Sequence, residues 1–469
     1  MIGLMGQNYA KILILFANLP KTSYLCLEIT MQLEDFLRKH AEETPDRTAV
    51  VCGGEKVSYA ALYQRVQARA ATLPKGQVVV FRSSQTVDFL VTYFAIHLAG
   101  SVAAPLERDT PEPLYQEIAA SLVDTELPPD SADILYTTGT TGRSKGVIIS
   151  HRTIIADAEN LIAGQGFSRD LVFIINGPLN HIGSLSKIFP VVMLGATLYI
   201  LDGMRDLNAF FDALDYPASK IATFFVPATI RMLLQFAPER LASYAHKLDF
   251  IESGAAPLAH ADMLRLCELL PHTRLYNTYA STETGIIATY NFNDGQCLQG
   301  CLGHPMPHSR LVITSEGLIA CQGDTLMTGY VNDPELTATI LHDDTVFTAD
   351  MGHIDEKGRL HLEGRQGDVI NVGGYKVAPT EIEDAALSLP QVKDCVCIAV
   401  DHPLTGQALK LLVVTPEGAS FDKRQIARAL KAQLETYKVP LLYEQVEKIQ
   451  RTYNGKINRK FYSFMNDSD

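Results

Sequence analysis

Residues Asp133–His151, DILYTTGTTGRSKGVIISH, decide how the rest of the chain is interpreted. A strand-like apolar run meets a stretch rich in Thr, Ser, Gly and basic side chains, and a second strand-like run follows. Such a loop offers backbone N–H groups and hydroxyls to phosphate oxygens. The spacing of Gly139, Gly142, Lys145 and Gly146 departs from the Walker pattern, in which GxxxxGK precedes Ser or Thr. The stretch therefore predicts a phosphate-binding loop other than a P-loop, with a glycine-rich hairpin of no function as the alternative.

The composition of the 469 residues is that of a globular protein, with 47% hydrophobic and 20% charged residues. This length predicts two or three domains. A net charge of -13 disfavours nucleic acid as a partner, because the phosphate backbone is also negative. The eight cysteines form no paired CxxC motifs, which favours a reducing cytoplasm. Cys395 and Cys397 lie two residues apart in an apolar run and are predicted to pack on one face of a strand.

The N-terminal 30 residues contain one apolar run, Ile12–Ala17, which is far shorter than the ~20 residues of a membrane-spanning helix. The run also lacks the small-residue cleavage site of a signal peptide. We therefore predict a cytoplasmic protein with no transmembrane segment. Amphipathic patterning begins near Met31, so residues 1–30 are predicted to be an appendage.

The remaining chain predicts the α/β fold class. Short apolar strands alternate with segments of helical periodicity, as in sheets covered by helices; the strands are placed at Val78–Phe81, Leu171–Ile175, Thr197–Leu201, Thr223–Val226 and Phe250–Glu252. Gly303–Leu362 has the short segments and Gly turns of antiparallel β structure. The last part predicts compact α+β structure: helices at Pro379–Ser388 and Asp422–Glu435, and strands at Cys395–Val400 and Leu411–Thr415. A boundary within Gly364–Asp368 then divides a large domain, residues 31–366, from a small one, residues 367–469.

The segment YTTGTTGRSKGV resembles the phosphate loop of the adenylate-forming superfamily, which includes acyl- and aryl-CoA synthetases, luciferases and peptide-synthetase adenylation domains. The resemblance covers nearly all of residues 31–463. Six further segments match in the family's order: SGAAP (Ser253–Pro257), YNTYASTETG (Tyr276–Gly285), FTADMG (Phe347–Gly352), GRQGDVINVGGYKVAPTEIE (Gly364–Glu383), YKVP (Tyr437–Pro440) and NGKINRK (Asn454–Lys460).

This resemblance implies an ATP site. Tyr279 offers an aromatic face for adenine, Thr282 a hydroxyl for phosphate, and Glu283 a hard oxygen ligand for magnesium. Asp350 would accept both ribose hydroxyls, and Arg365 would contact ribose or phosphate. The other predicted nucleotide-binding residues lie in the phosphate loop and in a flat wall of small residues beside the purine: Thr137, Thr138, Gly139, Thr140, Thr141, Gly142, Lys145, Gly254, Ala255 and Ala256.

Lys456 is the main catalytic candidate. In the family this lysine contacts the carboxylate and the α-phosphate during adenylation, and Gly455 beside it lets the backbone turn. Taken alone, a basic stretch such as RTYNGKINRK is a solvated surface or a contact for anionic partners. The same holds for Asp350 and Arg365, which as single residues are ordinary surface charges.

The segment PLNHIGSLSKIF, Pro178–Phe189, resembles the acid-pocket helix of CoA ligases. His181 stands at the family's aromatic-or-histidine position as a catalytic candidate, and Ile182 and Gly183 are predicted to line the pocket; a structural histidine is the alternative. Amino-acid-activating relatives place an aspartate where Ile182 stands. A buried ammonium group without that partner costs several kcal/mol, so the resemblance implies an organic acid with an uncharged tail.

The resemblance implies a two-step ligase that uses ATP, magnesium and coenzyme A on an aromatic or fatty acid. Gly367 would be the hinge of a mobile C-terminal domain, and Gly373, Gly374 and Lys376 would lie at the CoA channel. Two alternatives remain open: loading of the acid onto a separate carrier protein, and a non-catalytic nucleotide-binding homologue. A homodimer is compatible with the sequence. The chain departs from the family between Pro105 and Asp133, where relatives insert a further βαβ portion.

Overall fold

The computed structural model describes residues 31–138, 144–373, 375–403, 405–452 and 456–463. Helices and strands alternate as far as residue 281, strands dominate from residue 285 to 365, and a smaller α+β portion follows. The predicted appendage, residues 1–30, lies outside the described residues. None of the helices in the described part of the chain combines the length and apolar character needed to cross a bilayer.

The first part of the large domain contains α1 (Leu33–Glu43), β1 (Thr48–Cys52), β2 (Glu55–Ser58), α2 (Tyr59–Ala70), β3 (Val78–Arg82), α3 (Val87–Leu98), β4 (Val102–Leu106), α4 (Glu112–Ser121), β5 (Ser131–Thr138), β6 (Ser144–Ser150) and α5 (His151–Gln165). Its second part contains β7 (Leu171–Ile175), α6 (Ile182–Leu185), α7 (Ile188–Leu194), β8 (Thr197–Ile200), α8 (Leu207–Leu214), β9 (Lys220–Phe225), α9 (Pro227–Phe236), α10 (Pro238–Ser243), β10 (Leu248–Ser253), α11 (His260–Leu269) and β11 (Arg274–Ser281).

The strand-rich region contains β12 (Gly285–Asn291), β13 (Cys301–Pro305), β14 (Ser309–Ile313), β15 (Leu318–Gly323), β16 (Gly329–Tyr330), α12 (Pro334–Ile340), β17 (Leu341–His342), β18 (Thr345–Ile354) and β19 (Leu360–Arg365). The C-terminal portion contains β20 (Ile370–Val372), β21 (Tyr375–Val377), α13 (Pro379–Leu387), β22 (Asp394–His402), β23 (Gly406–Val414), α14 (Lys423–Lys431), a 3₁₀ turn (Thr436–Lys438), β24 (Leu442–Gln445) and α15 (Arg459–Ser463).

Local sequence explains these elements. All five residues of β7, LVFII, are buried, and β7 pairs in parallel with β8 and β9, as expected for a strand covered on both faces. Helix α5 begins after Ser150, whose hydroxyl accepts a hydrogen bond from the Thr153 N–H at 3.0 Å. The helix ends at Gly166, which adopts a φ of 70°.

The described strands form three sheets. The large sheet has the order β14-β15-β18-β19-β13-β12-β11-β10-β9-β7-β8-β1-β2, with β17 beside β18. Its members from β11 to β8 are parallel, and those from β12 to β15 are antiparallel. A second sheet has the order β16-β6-β5-β4-β3, and the third, β21-β20-β23-β22 with β24, belongs to the C-terminal portion. The predicted α/β class and the antiparallel region are therefore confirmed.

Separate cores divide the large domain from the small one. Leu360 is buried in the large-domain core with Leu362 packed against it, whereas the core of the small domain begins at Ile370. The amide of Gln299 donates to Asp384 Oδ2 at 2.9 Å across the two domains. The boundary at 364–368 remains a prediction.

Two further predictions have outcomes in the fold. Cys395 and Cys397 both point into the core of the small domain, while Val396 and Ile398 belong to a separate cluster on the opposite face of β22. The shortened region after Pro105 contains one helix, α4, and β4 pairs directly with β5 in parallel. A single crossover helix therefore occupies this region.

Candidate active site

The candidate site lies at the carboxyl ends of the parallel strands, the usual position for ligands in open α/β sheets. The SGAAP segment follows β10, the STETG segment follows β11, and the acid-pocket segment follows β7. These strands are close neighbours in the order β11-β10-β9-β7. The fold therefore brings together motifs that are up to a hundred residues apart in the chain.

A tight turn holds Thr282 and Glu283 after β11. The Ser281 N–H donates to Thr284 Oγ1 at 3.1 Å, and the Thr284 N–H donates to Ser281 Oγ at 3.1 Å. Gly285 closes the turn with a φ of 66°, and a Cβ there would lie 2.5 Å from the Thr325 carbonyl oxygen. Only glycine fits this position, so the turn has a fixed shape.

Tyr330 connects two predicted site residues that come from distant motifs. Its hydroxyl donates to Glu283 Oε1 at 3.0 Å, and Lys145 Nζ lies 5.6 Å from the centre of its ring. Strand β16 positions Tyr330 by pairing it with Val147 of β6, the strand that carries Lys145. Sequence reasoning missed Tyr330, and its place in the turn TGY gave no signal of this role.

Glu283 is suited to bind magnesium, because it is partly exposed and its Oε2 accepts no hydrogen bond from another described residue. The side chain is half-buried, and its Oε1 accepts the hydrogen bond from Tyr330. Magnesium is usually held by one or two carboxylates together with substrate phosphates, so one accessible carboxylate oxygen meets the requirement.

Asp350 connects Tyr279 to Arg365. The Tyr279 hydroxyl donates to Asp350 Oδ2 at 2.9 Å, and Arg365 Nε donates to Asp350 Oδ1 at 2.7 Å. Asp350 and Arg365 are directly paired across β18 and β19. Tyr279 is 7% exposed, and burial raises the pKa of its hydroxyl. Both carboxylate oxygens of Asp350 thus have protein partners in this structure.

Lys456 of the small domain lies near these charges. Desolvation and the Arg365 guanidinium lower the pKa of its ammonium, while Asp350 and Glu283 act in the opposite direction. The Thr452 N–H donates to the Lys456 carbonyl at 2.7 Å. Lys456 of the small domain therefore interacts electrostatically with three predicted site residues of the large domain.

His181 and Glu107 form a close pair on the acid side. His181 Nε2 lies 2.5 Å from Glu107 Oε1. Burial acts to raise the pKa of Glu107, but the hydrogen bond and charge of His181 outweigh it, so the pKa is lowered. Glu107 follows β4, and sequence reasoning missed it because the two residues are 74 positions apart.

Phe224, a second missed residue, separates the acid segment from the small-residue wall. A Cβ on Gly183 would lie 3.4 Å from the Phe224 ring, and a Cβ on Gly254 would lie 3.3 Å from it. Lys187 Nζ stands 5.4 Å from the ring centre and pairs with Glu252 at 2.8 Å in a fully buried ion pair. The two glycines therefore let the backbone of both segments approach the tip of one aromatic ring.

Ala255, between Gly254 and Ala256, has a φ of 69°. Residues with a Cβ rarely adopt this left-handed conformation, and it costs on the order of 1 kcal/mol. Such strain is concentrated at functional sites, which agrees with the predicted wall beside the purine.

The remaining site predictions differ in how far the structure describes them. Gly367 lies in a turn after β19, where a Cβ would meet no atom within 4 Å, and the Gly373 N–H donates to the Thr405 carbonyl at 3.2 Å. Thr137 is paired with Lys145 across β5 and β6, and Ile182 begins α6. The following lie outside the described residues or have side chains outside them: Thr138, Gly139, Thr140, Thr141, Gly142, Gly374 and Lys376.

Two protein families match this chain. The family described as AMP-binding enzyme matches residues 37–128 and 113–331, and the family described as AMP-binding enzyme C-terminal domain matches residues 381–456. Together these matches cover most of the large and small domains.

Individual relatives agree with this assignment. The chain is 26% identical to the indoleacetate–CoA ligase of Aromatoleum aromaticum, with 92% of this chain and 97% of the relative covered. It is 30% identical to a long-chain-fatty-acid–CoA ligase of Bacillus subtilis over 71% of this chain and 61% of that protein. The solved structure of ATP-bound MatB from Rhodopseudomonas palustris superimposes with a TM-score of 0.82 at 26% identity, covering 93% of this chain and 99% of MatB.

Proposed function

The chain belongs to the AMP-binding enzyme family, and from this we propose that it is an ATP-dependent ligase that joins a carboxylic acid to coenzyme A through an acyl-adenylate. In the first step a carboxylate oxygen attacks the α-phosphorus of ATP, the bond to the β-phosphate oxygen breaks, and pyrophosphate leaves. In the second step the sulfur of coenzyme A attacks the acyl carbonyl carbon, the bond to the phosphate oxygen breaks, and AMP leaves.

The observation that carries this proposal is the approach of Lys456 to Glu283, Asp350 and Arg365. A binding module has no need for a lysine of one domain beside carboxylates and a guanidinium of another. An enzyme that compensates negative charge at a reacting phosphate does need such positioning, because catalysis of phosphoryl chemistry is mainly electrostatic.

In the first step, Lys456 would compensate the charge shared by the attacking carboxylate and the α-phosphate. Asp350 would accept hydrogen bonds from the ribose hydroxyls, and Arg365 would hold both the ribose and Asp350. Glu283 would hold magnesium, which when bound neutralises phosphate charge. Lys145, kept in place over Tyr330, would contact the phosphates. No side-chain nucleophile is required.

In the second step, the small domain would turn about Gly367. Lys456 would leave the site, and the loop Val372–Lys376 would approach the thiol channel. Gly367 lies in a turn where an added Cβ would meet no atom within 4 Å, and glycine permits a wide range of φ and ψ, which supports a joint at this position. Under this proposal the mobile domain comprises residues 367–469.

The acid site favours an aromatic or fatty acid. Ile182 and Phe224 are apolar, and the nearby Lys187 is already paired with the buried Glu252. An α-amino acid would leave its ammonium without a carboxylate partner at Ile182, at a cost of several kcal/mol. His181, held by Glu107, would contact the acid at the open end of this pocket.

The test is a pyrophosphate-release screen over benzoate, cinnamate, short and medium fatty acids and amino acids, with and without coenzyme A. The proposal expects acid-dependent pyrophosphate release with all substrates present and a thioester only when coenzyme A is added. Adenylation without thioester formation would instead favour a separate carrier protein. Absence of pyrophosphate release with every acid would favour a non-catalytic nucleotide-binding protein.

A further inference from the structure

A buried group of three side chains lies at the base of the β5–β6 hairpin, outside the candidate active site. Among the residues that the structure describes, Glu34, His97 and His151 bring one ligand atom each to within 4.8 Å of one another. They come from the first turn of α1, the last turn of α3 and the first residue of α5. No sequence motif connects them.

Within the described part of the chain, the ligand atoms of this group have no hydrogen-bond partner on another residue. Glu34 and His97 are 4% and 3% exposed, and neither carboxylate oxygen of Glu34 is bonded to another residue. The Nδ1 atoms of His97 and His151 are also buried without a partner. Glu34 Oε2 and His97 Nδ1 are 3.8 Å apart, too far for a hydrogen bond. Buried polar atoms without partners cost free energy, so four of them in one cluster need an explanation.

The orientation of His97 turns Nδ1 toward Glu34 and Nε2 away from it. Its Nε2 lies 3.0 Å from Asp133 Oδ1 and 3.2 Å from the Ala132 carbonyl oxygen. Because both neighbours are acceptors, Nε2 carries a hydrogen, and Nδ1 is the ring nitrogen that remains for a ligand. The Tyr93 hydroxyl donates to Asp133 Oδ2 at 2.9 Å and fixes this carboxylate in turn. A carboxylate that orients a histidine from behind is the usual outer support of a metal-bound imidazole.

His151 is also prepared to bind a cation. Its Nδ1 is buried and has no hydrogen-bond partner among the described residues. Its ring meets that of His97 edge to face, with centroids 5.0 Å apart. Two imidazoles and one carboxylate form a donor set that suits zinc better than magnesium or calcium, which require more oxygen ligands.

We propose that Glu34, His97 and His151 bind one Zn²⁺ ion as a structural site. Zinc bonds to His nitrogen and carboxylate oxygen at about 2.0–2.2 Å, which places tetrahedral ligands about 3.4 Å apart. Glu34 and His97 are 3.8 Å apart and all three ligand atoms lie within 4.8 Å of one another, so zinc binding requires the side chains to close by at most about 1.4 Å. The second oxygen of Glu34 or a water molecule completes four ligands.

The position of the site gives it a specific structural effect. Asp133 lies in β5, and His151 directly follows β6, so the site lies at the base of the hairpin that carries the predicted phosphate loop. Bound zinc would connect α1 and α3 to this base and hold the hairpin in place.

The experiment uses the full-length chain without an affinity tag, stripped of metal with a chelator and then titrated with Zn²⁺ against a chromophoric competitor. We expect about one Zn²⁺ per chain and a higher melting temperature with zinc. Glu34→Gln keeps the side-chain shape but should weaken zinc binding at least about 100-fold, more than loss of an outer-shell partner does. His97→Gln provides a second variant if the first does not fold.

Two control variants separate this site from others. His308→Gln removes a surface histidine that lies 2.6 Å from Glu159, and Glu283→Gln removes the proposed magnesium ligand. Both should retain the zinc stoichiometry of the wild type. Cobalt bound to the stripped protein should give the strong visible absorption of a tetrahedral site, and Glu34→Gln should abolish it.

Equal zinc binding by the wild type and Glu34→Gln, or no zinc-dependent rise in the wild-type melting temperature, would overturn the proposal. Either result would mean that Glu34, His97 and His151 do not hold zinc.

Discussion

Tyr330→Phe tests whether the hydroxyl of Tyr330 positions Glu283 for magnesium. The variant removes the hydrogen bond to Glu283 Oε1 at 3.0 Å but keeps the ring 5.6 Å from Lys145 Nζ. A hydrogen bond to a charged group contributes ~1.5–3 kcal/mol, and the lower half of this range applies because the pair is only partly buried. Since 1.4 kcal/mol is a factor of ten, the magnesium concentration for half-maximal activity should rise about 10- to 30-fold.

The assay is acid-dependent exchange of pyrophosphate into ATP, measured over a range of magnesium concentrations. Tyr290→Phe is the matched control. The Tyr290 hydroxyl also donates to a carboxylate, that of Asp294, at 2.9 Å, and this pair lies outside the candidate site. Tyr330→Leu should add a rise in the KM for ATP, because Lys145 also loses its aromatic contact, worth ~0.5–1 kcal/mol. An unchanged magnesium requirement in Tyr330→Phe, at the melting temperature of the control, would refute this role.

Three further predictions follow, two tested by measuring pyrophosphate release and thioester formation separately and one by chemical denaturation. Lys456→Ala should lower acid-dependent pyrophosphate release at least about 100-fold while thioester formation from supplied acyl-adenylate continues, because the lysine acts only in adenylation; equal losses in both steps would contradict its role. Gly367→Pro should spare pyrophosphate release but block thioester formation, because proline fixes φ at about -65°; parallel loss, or no loss, would exclude this hinge. Burial raises the pKa of Asp157 from 3.8 to about 7, so its contribution to stability is complete below pH 3.8 and is lost as the pH rises to 7. In chemical denaturation, Asp157→Asn should reduce the change in the free energy of unfolding between pH 3.8 and 7 by at most about 4 kcal/mol. The same pH dependence in the variant and the wild type would contradict the raised pKa of Asp157.

The sequence was most informative where burial is continuous. Leu171–Ile175 was predicted with its observed bounds. All five residues of this strand are buried and apolar, so the apolar run in the sequence has the same ends as the strand. The predicted strand at 250–252 extends to Leu248–Ser253, and the strand at 395–400 extends to Asp394–His402. Backbone pairing continues through polar residues, so an apolar run underestimates strand length.

The sequence predicted only those candidate-site residues that lie in recognisable motifs. Glu283, Asp350 and Lys456 lie in quoted motifs, and the structure brings their charges near one another. Phe224 and Tyr330 belong to no motif, and their place depends on strand order and on the pairing of β16 with β6. The group of Glu34, His97 and His151 gave no signal, because its members come from three helices far apart in the chain.

The single ring between Gly183 and Gly254 limits how the acid range of this protein can be re-engineered. Replacing Phe224 with a smaller residue to admit a bulkier acid would also withdraw support from the strand end that carries the purine wall. Substitutions on either side of the ring should therefore be epistatic, with combined effects that differ from the sum of the single ones. Libraries that vary Gly183, Phe224 and Gly254 together would explore acid selectivity more efficiently than libraries that vary one position at a time.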